Sequence, residues 1–327
     1  MPEPPWVADA DLPDEVDALV VGGGPAGLSA ATWLGRYRRR TLLVDAGRQR
    51  NRAVEAVHGL LGRDPVSPAA LLADALAGLT QYPHVTVRRG TVASIERAGE
   101  RFAADVDGHR VHASRVVLAT GVRDRLPDVG GLTEHYGAGV QHCPTCEGFD
   151  AQGRPVVVLG WGEHVPAFAT ELLDWASEVT VVSDGAPLEV SDEQRRRLAA
   201  VGVDLLDDAA EDLLGSRGDL QAVRLASGRE VPAAFVFFSI GHDATVALAR
   251  DLGCELTAEG VVAVDHEQRT SVDGVFAAGD VTPGMQLVSV ALGEGTVAGV
   301  AAAQSLHGEP TAPDAPPAAP PPEHLAP

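Results

Sequence analysis

Residues 16–47 place the tightest constraint on what this chain can fold into. An apolar run, VDALVV (16–21), is followed by GGGPAG (22–27), then LSAATWLGRY, then TLLVDAG (41–47), whose last acid is Asp45. Gly22, Gly24 and Gly27 fit G-x-G-x-x-G, and Asp45 lies 18 residues beyond Gly27. Each part has a physical task. The first glycine permits a tight turn, the second lets a pyrophosphate approach the backbone, and the third lets helix and strand pack closely. The helix N-terminus offers unpaired N–H groups and the positive end of its dipole to phosphates. An acid at the end of the next strand accepts hydrogen bonds from a ribose. Strand, glycines, helix, strand and acid in that order predict a parallel βαβ unit and a dinucleotide site.

The unit recurs. RPVVVLG (154–160) is followed by GWGEHV, a helical stretch to about residue 177, and the strand EVTVVSDG (178–185). Two more apolar strands end at small residues: RVVLATG (115–121), and GVFAAGD (274–280), which delivers Asp280 to its carboxyl end. Ligands of open α/β sheets bind at such ends. A helix is predicted to begin after Met285, with N–H groups available to a ligand carbonyl.

The third feature is QHCPTCEGFD (141–150), with Cys143 and Cys146 two residues apart. By itself a Cys-x-x-Cys is half a zinc site, a redox dithiol or chance. A structural zinc takes four ligands. The third cysteine, Cys254, stands alone in RDLGCEL, and neither a second Cys-x-x-Cys nor a His-x₃-His occurs. The redox reading is favoured, and no metal is expected. Three cysteines in 327 residues make no disulfide scaffold. A formal charge of −21 disfavours nucleic acid and anionic membranes as partners. All basic residues other than histidine are arginine, which excludes Schiff-base and P-loop lysine chemistry. No secretory leader or long uncharged apolar span is visible, so a cytoplasmic protein is expected.

Together the motifs GGGPAG (22–27), ATG (119–121), CPTCEGF (143–149), IGH (240–242) and GVFAAGD (274–280) resemble the low-molecular-weight thioredoxin reductase family of flavoproteins, over roughly residues 15–308. The resemblance implies an α/β fold of two nucleotide-binding, Rossmann-like three-layer domains, the second inserted into the first. An FAD domain would span 14–121 plus 244–308, an inserted domain 122–243 would carry the dithiol, and 1–13 and 309–327 would be flexible. It implies FAD cradled by Gly22, Gly24, Pro25, Ala26 and Gly27, with Asp45 near the adenosine ribose. Asp280 would meet the ribityl chain, and backbone near Gln286 and Leu287 the isoalloxazine. Thr120, Gly121 and Asn51 would lie along the cofactor. Cys146 would face the flavin, and Cys143 would be the outer thiol that exchanges with a sulfur substrate. Glu147 would shuttle a proton, and His142 would tune thiolate formation. A homodimer is implied, together with a thioredoxin-like protein or a small dithiol or disulfide as substrate.

The second loop departs from the family. Its third small position holds Val165, preceded by His164. Ser183, Asp184 and Gly185 stand where NADPH-using members carry the histidine and arginines that grip a 2′-phosphate. An acid repels that phosphate but suits the ribose diol of NADH. NADPH is therefore disfavoured and NADH left open. The segment 45–64 resembles relatives that oxidise a small dithiol and pass electrons to O₂. Three readings stay open: a disulfide reductase, a small-molecule dithiol oxidase, and a flavin redox sensor without turnover.

Overall fold

The computed structural model describes residues 12–307. The termini expected to be flexible lie outside these residues except for Leu12 and Pro13, and Leu12 packs against the apolar core. Of the described residues, those up to Arg52, Pro68–Arg123 and those from Ala244 onward form one compact unit. Ala53–Ser67 and Asp124–Asp243 form the other.

In the first unit the strands Val85–Arg89, Thr41–Asp45, Glu15–Val21 and His109–Leu118 lie side by side, all parallel. The long strand His109–Leu118 also pairs in two steps with others. Its first half runs antiparallel to Arg101–Val106 and its last residues parallel to Val275–Ala277. Val92–Ala98 continues the sheet beyond Arg101–Val106. A strand covered on both faces is mostly apolar, and Glu15–Val21 is buried at every residue after Glu15, its one buried charge, Asp17, being paired with Arg40. Ala18 and Val20 face the helices Pro25–Arg36 and Val288–Gln304. Val16, Leu19 and Val21 face the opposite layer, which includes Ile95, Phe102, Val262 and Cys254. Burying a leucine like Leu19 contributes about 1.5–3 kcal/mol.

Small residues bring the two helices together. A methyl on Gly295 would fall 2.1 Å from the Ala26 carbonyl oxygen, and one on Gly299 would fall 2.6 Å from that of Ala30. The second helix starts at Val288, three residues later than Met285, because Leu287 is extended and serves as its N-cap.

The second unit repeats the layering. Five parallel strands run in the order Val203–Leu206, Glu178–Val182, Pro155–Leu159, Phe235–Phe238, Val140–Gln141. Val156, Val158, Val181 and Phe237 pack on the helices Val165–Leu172 and Asp192–Ala200. Val157, Leu159, Val182 and Val236 pack on the antiparallel strands Ala210–Ser216, Asp219–Leu225 and Glu230–Pro232. The helix after the second glycine loop stops at Leu172 rather than near 177. The chain turns there so that the Trp175 carbonyl accepts the Gly153 N–H and the indole lies on Gly148, where a methyl would meet it at 2.4 Å.

The excursion Ala53–Ser67, expected within the continuous stretch 14–121, groups with the second unit. It is closed by the Val57–Val66 bridge, and His58 Nε2 lies 3.4 Å from the Asp150 carboxylate.

Candidate functional site

The glycine loop of the first unit is crowded everywhere but at one residue. Gly22 has φ +107°, and a methyl there would meet the Ala119 oxygen at 2.1 Å. A methyl on Gly27 would sit 1.8 Å from the Gly22 oxygen, and one on Gly23 would be 2.7 Å from Asp45. Gly24 alone points into open space, with nothing within 4 Å. Gly24 caps the helix and Pro25 occupies its first turn, where its missing N–H costs nothing.

Asp45 is buried, and its carboxylate closes the loop. Oδ1 accepts the Gly23 N–H at 3.2 Å, and Oδ2 accepts the Gln49 amide at 2.6 Å. The Gln49 amide also donates to the Gly23 carbonyl, leaving its buried Oε1 without a hydrogen-bond partner. A cradle that a Cβ would fill, beside an orphaned acceptor, fits a bound dinucleotide.

The other expected residues lie on the same unit. Thr120 donates its hydroxyl to the Thr245 carbonyl at 2.7 Å, and Gly121 has φ +63°. Asn51 is partly buried in the short turn Arg50–Ala53. Leu287 donates its N–H to the Met285 carbonyl. Asp280 and Gln286 are joined through Arg50, whose Nη1 donates to Asp280 Oδ2 at 3.1 Å and to Gln286 Oε1 at 2.7 Å. Glu294 Oε2 accepts the Gly279 N–H at 2.8 Å and the Thr282 hydroxyl at 3.3 Å. Burial pushes the Glu294 carboxyl above its ordinary pKa, and the nearby Asp280 charge adds to that.

In the second unit Cys143 and Cys146 form a disulfide. Pro144–Glu147 makes one helical turn with Cys143 as its N-cap, and the Cys146 N–H donates to Cys143 Sγ at 3.1 Å. Backbone N–H donors at the start of a helical turn are a general means of favouring a thiolate. The two sulfurs and a carboxylate oxygen of buried Glu147 all lie within 4.8 Å of one another. Thr145 fastens the turn to the neighbouring helix by donating to Glu171 at 3.0 Å. The His142 ring packs against Phe238, with centroids 6.1 Å apart.

The second glycine loop is filled from within. A methyl on Gly162 would meet the His164 ring at 2.8 Å, and that ring's Nε2 lies 3.0 Å from the Ser239 carbonyl. Val165 is fully buried against Gly160. Asp184 has φ +54° and accepts the Ala210 N–H at 3.3 Å. Burial raises its pKa.

Residues 16–295 match the profile of the pyridine nucleotide-disulphide oxidoreductases. The chain belongs to that family. Its members are flavin-dependent oxidoreductases, and this chain is one of the thioredoxin reductase-like kind. It is 32% identical over 307 residues to thioredoxin reductase tcpT of Claviceps purpurea, covering 89% of this chain and 94% of that one. A protein named as a probable thioredoxin reductase of Arthroderma benhamiae is 37% identical over 183 residues. That match covers 54% of this chain, which spans only 45% of the Arthroderma protein's length. Among solved structures, HlmI superposes with a TM-score of 0.85 at 35% identity, covering 91% of this chain and 94% of that one. The family match accounts for both βαβ units.

Gly23, Gln49, Arg50 and Glu294 were not singled out by the motifs. Gly23 had a signal, its place in the middle of three consecutive glycines. Arg50 and Glu294 gain their surroundings from tertiary contacts, and Gln49 from Asp45 four residues away together with the remote Gly23.

Proposed function

We propose that this protein is an FAD-dependent dithiol–disulfide oxidoreductase that works through Cys143 and Cys146. The observation that carries the reading is the closed pair itself, with a backbone donor on one sulfur and a buried carboxyl within reach of both.

Gly22, Gly24, Pro25, Ala26 and Gly27 would hold the FAD pyrophosphate, with Asp45, Asn51, Thr120, Gly121, Asp280, Gln286 and Leu287 along its length. When bound, the flavin supplies a two-electron donor or acceptor for the dithiol. The sulfur chemistry belongs to this chain. In the oxidising direction a substrate thiolate attacks Cys143 Sγ and breaks the Cys143–Cys146 bond, and Cys146 leaves as thiolate. A second substrate thiolate then displaces Cys143 from the mixed disulfide, completing the substrate's disulfide bond. Two electrons now reside on the enzyme dithiol. In the reducing direction the same steps run backwards, with the Cys143 thiolate as attacker. The Cys146 N–H stabilises the Cys143 thiolate in both directions. Glu147 accepts or returns the proton, and His142 tunes the thiolate.

The filled second loop and the half-buried Asp184 favour the oxidising direction. The residues that follow strand Glu178–Val182, Ser183, Asp184 and Gly185, include no cation for a 2′-phosphate, so NADPH is a poor donor on this reading. The substrate is then a small dithiol, and O₂ the final acceptor. A thioredoxin-like protein disulfide is the substrate of the competing, reducing reading. We place the enzyme in the cytoplasm as a homodimer.

The test is anaerobic titration of the purified protein with NADPH, NADH and a small dithiol, following flavin absorbance. The reading predicts bleaching by the dithiol and recovery in air. Bleaching by NADPH alone would reverse the direction. A protein with no affinity for FAD would end the proposal.

A further inference from the structure

Arg50 lies in no motif. It opens the short turn Arg50–Ala53, and its guanidinium is held well inside the first unit at 16% side-chain exposure. Nη1 reaches two segments distant in sequence: Asp280, which follows strand Val275–Ala277, and Gln286, just before helix Val288–Gln304. Those are the two residues the flavin reading assigns to the ribityl chain and the isoalloxazine, and the inference rests on that reading. A guanidinium stays charged at any working pH, and its planar fork loses little freedom when it bonds two acceptors. Its surroundings are acidic. Asp280 is paired to it, and Glu294, in the second turn of helix Val288–Gln304, has a pKa raised by burial and in part by Asp280.

We propose that Arg50 is a positioning residue of the flavin site: it ties Asp280 to Gln286 and so fixes the two segments that receive the flavin. Because the tie is ionic, it also offsets the Asp280 carboxylate, and so spares the site a net negative charge that would disfavour the more negative, reduced flavin relative to the oxidised one. Removing it does two separable things. The two segments lose their common anchor, and the site gains one unit of net negative charge.

The experiment compares wild type with Arg50→Met, Arg50→Lys and Gln286→Leu, each prepared as apoprotein. FAD is titrated back by flavin fluorescence quenching, and the midpoint potential of each reloaded protein is measured by dye equilibration. Circular dichroism and melting of the apoproteins check folding. Losing a charge-assisted anchor should weaken FAD binding about tenfold or more in Arg50→Met and shift its potential downward. Arg50→Lys should recover the potential but not the full affinity. Arg50→Met with Gln286→Leu together should bind little worse than Arg50→Met alone. Unchanged affinity and potential in Arg50→Met would overturn the proposal. So would tighter binding, the behaviour of a side chain that merely occupies the cofactor's place. If Arg50→Met does not fold, Arg50→Lys and Gln286→Leu decide, since wild-type potential and affinity in both leave Arg50 no positioning role. Wild-type apoprotein that takes up no FAD would defeat the flavin reading itself, a result distinct from failure of the Arg50 clamp.

Discussion

At the scale of single residues, the two sulfurs are not equivalent. The Cys146 N–H serves Cys143 Sγ, and the proposed mechanism makes Cys143 the attacking thiolate and Cys146 the resolving thiol. Cys143→Ser should abolish dithiol turnover by about a thousandfold or more without trapping substrate. Cys146→Ser should be equally inactive but accumulate a mixed disulfide on Cys143, visible by intact mass spectrometry. The reverse pattern would exchange their roles. Glu294 carries a pH signature. Its folded-state pKa lies above the ordinary carboxylate value because it is partly buried. The stability linked to its neutral form is therefore complete below the unfolded pKa and lost as pH climbs through the raised one. Glu294→Gln, which keeps an acceptor for the Gly279 N–H, should show a melting temperature that falls less than wild type over that interval. Parallel curves would show that Glu294 titrates normally. The Cys-x-x-Cys was readable because both partners are adjacent in sequence. Glu294 and Arg50 were not, since residue 50 meets its partners some 230 positions away.

At the scale of elements, the glycine loop separates folding from binding. A methyl on Gly27 collides with the Gly22 carbonyl, while one on Gly24 meets nothing. Gly27→Ala should destabilise the apoprotein by about 1–3 kcal/mol, measured by urea unfolding. Gly24→Ala should leave apoprotein stability within about 0.5 kcal/mol, yet weaken FAD binding by filling the cradle. Equal effects of the two on both measurements would show that Gly24 does not face the ligand. The buried parallel strands were legible as apolar runs because both their faces are covered. The antiparallel strands Val92–Ala98 and Arg101–Val106 carried no motif. The grouping of the excursion Ala53–Ser67 with the second unit was not legible in the sequence, because its partners there, Asp150 with His58 and Arg217 with Glu55, lie remote in sequence.

At the scale of the whole molecule, acids exceed arginines by 21 (46 − 25). Many arginines are already paired, as Arg40 is with Asp17 and Arg224 is with Glu230, so the surplus acids repel one another with little local compensation. Raising ionic strength from about 0.01 to 0.15 M shortens the screening length from about 30 to 8 Å. The melting temperature should rise over that range; a fall would mean that the ion pairs outweigh the net repulsion. Among the described residues no helix is long and apolar enough to cross a membrane.

Short-range pattern determined the two βαβ units, the glycine loop and the dithiol. Each depends on residues a few positions apart, whose types alone dictate turn, helix or strand. Tertiary structure decided what those pieces are held by: the Gln49 and Gly23 contacts that occupy Asp45, the Arg50 tie between Asp280 and Gln286, the histidine folded over Gly162, and the burial of Glu147 and Glu294. These are hydrogen bonds, desolvation and close contacts set mostly by segments remote in sequence, and no local spacing encodes them.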